Sequence, residues 1–236
     1  MDYKEFEKMF HEELFKNNIE IPTNTEVFYK YMKLILEWND KVNLTAIKDE
    51  KEFIVKHFID SLTINKYIDA NAKLIDVGTG AGFPGLPLKM FHEEHFVTLI
   101  DSVNKKVNVL NDIILRLELK NVEAVHTRAE DFAKDNREQY DVAVSRAVAN
   151  MSTLVEYLIP FVKVGGTIIC MKGPNFEDEL NEAKKAIKVL CGTIDKIESI
   201  LIDGELERNI IIIKKVKETP KQYPRNQGKP LKSPIK

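Results

Sequence analysis

Three features of this sequence predict an α/β fold with a mostly parallel, doubly wound sheet. Short apolar runs alternate with helical stretches from Lys73 onward, a glycine-rich turn joins the first run to a helix, and two strand-like runs flank Asp203-Gly204 near the end. Alternation of this kind calls for crossover helices on both faces of one sheet.

The first five strand-like runs are Lys73–Val77, Phe96–Ile100, Val122–His126, Tyr140–Ser145 and Thr167–Lys172. Helical patterns separate them at Gly85–Phe91, Lys105–Leu117, near Glu130, and Met151–Val162. A further helix, Phe176–Leu190, precedes the runs Thr193–Leu201 and Glu207–Val216, and Asp-Gly between those two is a hairpin signal. Ahead of the sheet, residues up to about Asp69 read as helices. Phe6, Met9, Phe10, Leu14 and Phe15 recur at helical spacing, as do Val27, Phe28, Tyr31, Leu34, Ile35 and Trp38. Thr23 to Glu26 has capping-box spacing, and a third helical stretch is expected over Glu50–Tyr67. These apolar stripes read as core. The chain therefore divides into an N-terminal helical extension (1–69), an α/β domain (70–218) and a tail (219–236) whose Pro, Gly and Lys content predicts an extended arm.

The composition, 44% hydrophobic and 31% charged over 236 residues, is that of a globular protein. No apolar run approaches the roughly 20 residues of a membrane span, and Met1 to Phe10 lacks the apolar core of a signal peptide. Cys170 and Cys191 fit a reduced cytoplasmic setting and make no metal spacing, so neither membrane nor metal is expected. A net charge of −2 argues against a protein that coats nucleic acid indiscriminately. Charge is uneven, however. From Lys214 the chain carries Lys214, Lys215, Lys217, Lys221, Arg225, Lys229, Lys232 and Lys236 against the single acid Glu218. Such a segment could follow a phosphate backbone, or could simply be a solvated terminus.

The sharpest local feature is the run from Leu74 to Gly85, with Asp76 followed by Gly78, Gly80 and Gly82 and then by Phe83-Pro84. It leaves a strand and opens a helix, the context in which glycines let backbone turn tightly against a ligand. A dinucleotide loop wants a third glycine where Phe83 stands. The spacing here, entered from an acid, resembles an S-adenosylmethionine loop instead, and we place Gly78, Gly80 and Phe83 in the cofactor pocket. The second strand ends at Asp101, where a carboxylate can accept ribose hydroxyls. Helix N-capping is the alternative use. After the third strand, Ala129 and Glu130 are placed over the adenine, its edge read by a backbone N–H and a carboxylate; a favourable start to a helix is compatible with this. Arg146, at the end of the fourth strand, could fix a carboxylate or phosphate, or form a structural ion pair.

Taken as a set, several stretches closely resemble the glucose-inhibited division protein B family, also called ribosomal RNA small subunit methyltransferase G. They are Trp38-Asn39 with Asn43-Leu44-Thr45, His57 with Asp60-Ser61-Leu62, Asp76 to Gly85, Asp101-Ser102 with Asn104-Lys105-Lys106, Arg128 to Asp131, Ser145 to Ala149, Lys172-Gly173, and the tail residues Tyr223-Pro224-Arg225 with Gly228-Lys229-Pro230. Two departures are Lys56, where the family usually has Arg, and Asn226-Gln227 in a commonly basic stretch. The resemblance implies a Rossmann-like class I SAM methyltransferase with a seven-stranded sheet, S-adenosylmethionine as cofactor, and N7 of a guanine in 16S ribosomal RNA as acceptor. The partner would be 16S rRNA or the small ribosomal subunit, the protein a monomer, and the RNA contacts Lys105, Lys106, Lys172 and Arg225. The chemistry agrees: N7 has an in-plane lone pair and no proton, so methyl transfer needs positioning and no general base. Neither cysteine resembles an attacking thiolate, and His57 reads as a hydrogen-bonded structural histidine. A small-molecule methyltransferase with the same cofactor site, and a non-enzymatic RNA-binding protein with a vestigial fold, are the competing readings.

Overall fold

The computed structural model describes residues 1–146 and 149–235. Ala147 and Val148 of the Ser145 to Ala149 stretch, and Lys236 of the basic tail, lie outside the described residues. The strands are β1 (Lys73–Val77), β2 (Phe96–Asp101), β3 (Val122–His126), β4 (Tyr140–Arg146), β5 (Val162–Lys172), β6 (Gly192–Ile202) and β7 (Leu206–Lys215). They form one sheet in the order β3-β2-β1-β4-β5-β7-β6. β1 to β5 run parallel, and β7 pairs antiparallel with both β5 and β6. This is the doubly wound sheet with a terminal hairpin that the sequence predicts. Asp203 and Gly204 both take positive φ, 52° and 73°, as the hairpin turn requires.

Strand alternation explains why so many strand positions are apolar. Ile168 and Cys170 of β5 with Ile211 and Ile213 of β7 face one core, while Ile169 and Met171 with Ile210 and Ile212 face the other. A sheet buried on both faces needs apolar side chains at successive positions. One face is covered by α7 (Ala129–Phe132), α8 (Met151–Leu158) and α9 (Glu177–Val189). The opposite face carries α5 (Gly85–Phe91), α6 (Asn104–Arg116) and the N-terminal helices α1 (Tyr3–Lys16) and α2 (Glu26–Asn39). The N-terminal helices and the sheet share that second core. Phe58 is its hub, with ring centroids of Phe10, Phe28, Tyr31 and Phe53 all within 5.9 Å.

Four local expectations need correction. The capping box at Thr23 does not form; α2 starts at Glu26 with Thr25 at its N-cap, and the Asn24 side chain accepts the Val27 amide at 3.3 Å. Glu50–Tyr67 is not one helix. It comprises α3 (Glu50–Phe53), a π-helical turn over Ile54–Ile59, α4 (Asp60–Leu62) and a 3-10 turn at Asn65–Tyr67. α8 stops at Leu158, and β5 begins already at Val162. Finally, the tail is not an extended arm. It folds back over α8 and includes a short helix, α10 (Lys229–Lys232).

Candidate functional site

The strand order reverses direction around β1, between β2 and β4, and ligands of open α/β sheets bind at such a point, beyond the carboxyl ends of the strands. A cleft of about 530 Å³ opens there. Its floor is the glycine loop. Gly78 and Thr79 donate their amides to the Ile100 carbonyl at 2.8 and 3.1 Å, which draws the loop across the end of β2. Gly78, Gly80 and Gly82 all take positive φ (71°, 63° and 99°), a region that strains any side-chain-bearing residue. Two glycines are also required by packing. A Cβ on Gly82 would lie 2.5 Å from the Tyr31 hydroxyl oxygen, and one on Gly85 would lie 2.4 Å from Leu99 Cδ2. A Cβ on Gly80 would meet no heavy atom within 4 Å, because that position faces open space.

Two carboxylates hold the loop. Asp76 is fully buried beneath it, where its Oδ2 accepts the Thr79 hydroxyl at 2.7 Å and the Gly85 amide at 2.9 Å. Burial raises its pKa to about 6 against the opposing pull of those two hydrogen bonds. Asp101 accepts the Gly80 amide on Oδ2 at 2.9 Å and the Val103 amide on Oδ1 at 2.8 Å, so it clasps the loop to the turn after β2. Four lone-pair sites per carboxylate leave Asp101 able to accept more. On the far side of β2, Arg128 sits extended at the N-cap of α7, so Ala129 and Glu130 supply first-turn amides at the cleft.

The wall toward the N-terminal helices is a closed network. Asn39 accepts the amides of Leu44 and Thr45 on its side-chain oxygen, at 2.8 and 3.0 Å, and donates to the Thr45 carbonyl at 3.0 Å. That pins Leu44 at the cleft and aims the Thr45 hydroxyl at His57 Nε2, 2.7 Å away. His57 Nδ1 faces an Arg146 guanidinium nitrogen at 3.2 Å. Because guanidinium can only donate, Nδ1 accepts and the ring proton is on Nε2, shared with Thr45. Burial, with Arg146 second, lowers the His57 pKa to about 3, so the ring is neutral. It stacks on Phe83 at 4.3 Å with an interplanar angle of 8°. Arg146 itself donates to Asp60 Oδ2 at 2.8 Å and to the Lys56 carbonyl at 3.1 Å. The other oxygen of the fully buried Asp60 accepts from Arg208 Nε at 2.8 Å.

The structure thus brings Gly78, Gly80, Phe83, Asp101, Ala129, Glu130 and Arg146 together around one cleft. Arg146 pairs with Asp60 and also lines the cleft. The four basic residues expected to contact RNA separate. Lys105 is exposed and Lys106 lines the cleft, both at the start of α6. Lys172 is buried, donating to the Ala149 carbonyl at 2.6 Å and to Glu179 at 2.7 Å. Arg225 lies against Glu156. Asp60, Arg208 and Thr45 were given no individual role from the sequence, and Tyr31 was read only as core. The available signals were the resembling stretches that contain Thr45 and Asp60, and the position of Asp60 as an acid in the otherwise largely apolar run Phe58 to Leu62. Cys170 is buried in β5 with its thiol pushed up to about 12 by burial. Among the described residues no helix is long and apolar enough to cross a membrane.

Comparison with known proteins adds independent information. The model of the family described as rRNA small subunit methyltransferase G matches residues 24–211. A protein of Alkaliphilus oremlandii named ribosomal RNA small subunit methyltransferase G is 50% identical over 228 residues, covering 93% of this chain and 94% of its own. One of the same name from Clostridium botulinum is 53% identical over 214 residues, covering 89% and 90%. A solved structure of a Burkholderia thailandensis 1,6-didemethyltoxoflavin-N1-methyltransferase superposes with a TM-score of 0.57 at 13% identity, over 84% of this chain and 94% of that one, a likeness of fold.

Proposed function

The chain belongs to the rRNA small subunit methyltransferase G family, and we propose that it transfers a methyl group from S-adenosylmethionine to N7 of a guanine in 16S ribosomal RNA. The observation that carries the cofactor assignment is the clasp of Asp101 on the Gly80 amide at the switch point of the sheet. The residues present fit the cofactor: Gly80 faces open space, Asp101 has lone pairs free for ribose hydroxyls, and the amide of Ala129 and the carboxylate of Glu130 match the two-sided edge of adenine. Gly78 and Gly80 let the backbone approach, and Phe83 supplies an apolar wall stiffened by its stacking on His57. Arg146 places fixed positive charge behind that wall, on the side that would take the methionine carboxylate.

The cofactor supplies an electrophilic sulfonium methyl group. The chain's own residues position, exclude water and move no proton. Guanine N7 carries none to remove, and neither His57 nor Cys170 is poised as a base: both nitrogens of His57 are engaged and its pKa is lowered to about 3, while the Cys170 thiol is buried and held protonated. Catalysis then rests on orientation and desolvation. Lys105 and Lys106, beside the cleft mouth, are the basic residues best placed for substrate phosphates. Lys172 and Arg225 support the fold around the site. In this reading the protein works in the cytoplasm as a monomer without a metal, on 16S rRNA or the small subunit. Residues 1–69 form the helical extension, 70–218 the catalytic domain and 219–236 the tail.

The test is to map N7 methylation of 16S rRNA in a strain lacking this gene and to complement it. Wild-type protein should restore the modification. Gly80→Val, which drives a side chain into the open space at positive φ, should not. An unchanged methylation pattern in the deletion strain would refute the acceptor.

A further inference from the structure

The segment after β7 stays on the fold by a series of specific contacts. Thr219 is buried, and its amide donates to Glu138 Oε1 at 2.9 Å. Glu156 of α8 is completely buried, and Arg225 meets it with its backbone amide (2.8 Å), Nε (2.9 Å) and a terminal guanidinium nitrogen (2.7 Å). A carboxylate taken wholly out of water needs such charge-assisted bonds. Gly228, at φ 76°, then turns its amide onto Glu130 Oε1 at 2.9 Å. The Thr153 hydroxyl donates to the Pro230 carbonyl at 3.1 Å. This path ends at the cleft, which Leu231 lines beside Tyr157. Leu231 is 64% exposed, a large apolar side chain at the mouth of a ligand-sized cleft.

We propose that Arg225 to Leu231 form a strap that completes the cofactor site, with Leu231 covering the adenosine end of the ligand and the Gly228 amide fixing the carboxylate of Glu130. This rests on the S-adenosylmethionine reading of the cleft. The strap approaches from the sheet face that carries α8, opposite the wall of Phe83 and His57, so it leaves that wall uncovered. Arg225 is then a positioning residue for the cofactor. It acts through the strap, and its basic character serves Glu156 rather than RNA phosphate. Leu231 contributes apolar cover that has no partner until a ligand arrives, which accounts for its exposure.

Calorimetric titration of the full-length protein with S-adenosylmethionine tests this, with the unfolding temperature of the ligand-free protein measured alongside. Leu231→Ala should weaken binding about threefold to tenfold by loss of apolar contact, and Leu231→Asp should weaken it further. Neither should move the ligand-free unfolding temperature, because the side chain is exposed. Arg225→Ala should weaken binding more and raise KM for the cofactor more than it lowers kcat, with partial rescue by Arg225→Lys. Lys221→Ala, exposed and away from the cleft, should change nothing. If Arg225→Ala fails to fold, the Leu231 variants decide. Tight binding by wild type with unchanged affinity in both Leu231 variants overturns the strap and leaves the cofactor reading standing. Failure of wild type to bind overturns the cofactor reading and the strap with it.

Discussion

The side of the cleft toward the N-terminal helices is walled by Phe83, His57 and Arg146, whose polar atoms are answered by Thr45, Asp60 and Lys56 from segments far away in sequence. The opposite side is walled by Glu130, Tyr157 and Leu231, where a tail crosses the surface and leaves an apolar side chain in solvent. The first wall has its polar atoms answered within the chain, and the second keeps a large apolar side chain exposed at the cleft. The difference separates residues held by one another from residues left facing the cleft, although both kinds sit in the motifs that mark this chain. A motif residue near a cleft can serve the scaffold: Asn39 holds the backbone of Leu44 and Thr45, Thr45 meets His57, and Asp60 pairs with Arg146 and Arg208.

Removing the centre of the first wall should have the largest effect. Asp60→Ala leaves Arg146 and Arg208 without their shared counter-ion, and breaking a buried pair in this way costs about 3–5 kcal/mol. Urea denaturation measures it. A loss below about 1 kcal/mol would mean that the aromatic packing around Phe58 holds this wall without the ions. At the floor between the walls, Asp101→Ala should weaken S-adenosylmethionine binding by roughly 1.5–3 kcal/mol for each hydrogen bond lost to the ribose. Calorimetry on the folded variant returning wild-type affinity would remove Asp101 from the ligand and leave it as a loop clasp.

The smallest effect distinguishes the wall from the floor by pH. His57 has its pKa lowered from 6.5 to about 3. Above pH 6.5 the ring is neutral folded or unfolded, and its contribution is complete. Below 6.5 the unfolded chain takes up a proton that the folded ring refuses, and stability drains away until about pH 3. Between pH 6.5 and 5 this amounts to about 2 kcal/mol. Asp76 works in the opposite sense. Its pKa is raised to about 6, so its contribution is present below the ordinary 3.8 and is lost as pH rises through 6. The His57→Gln variant should therefore lose less stability than wild type from pH 6.5 to 5. Equal slopes in denaturation at the two pH values would show that His57 is protonated without penalty in the folded protein.

The parallel strands were legible because each carries an apolar run bounded by turn residues, and the glycine loop because its residue types answer to backbone φ. β5 was read late because Lys163 to Gly165 near its start are exposed and two glycines, Gly165 and Gly166, follow in succession, which hides the strand rhythm. The segment 50–67 was read as one helix because periodicity does not distinguish a π turn from α. The tail was misjudged for a different reason. Its lysines, prolines and glycines describe its own solubility, whereas its conformation is set by Glu138, Glu156 and Glu130, acids on other elements that only the fold brings within reach. The glycine loop is local in sequence and was legible, as were Phe83, Glu130 and Arg146 around it; the partners that hold them, Thr45, Asp60, Arg208 and the tail, are tertiary and were not.

The π-helical turn at Ile54–Ile59 has one more consequence. There the Asp60 amide reaches back five residues to the Val55 carbonyl instead of four. This widened turn lets the Lys56 carbonyl, the His57 ring and the Asp60 carboxylate all meet Arg146 from one short stretch. The segment works like a gear with one extra tooth. Taking out Phe58 or Ile59 would turn everything after it by about 100°, so His57 and Asp60 would fall out of phase and could not both engage Arg146. The number of residues here is as strict a requirement as their identity.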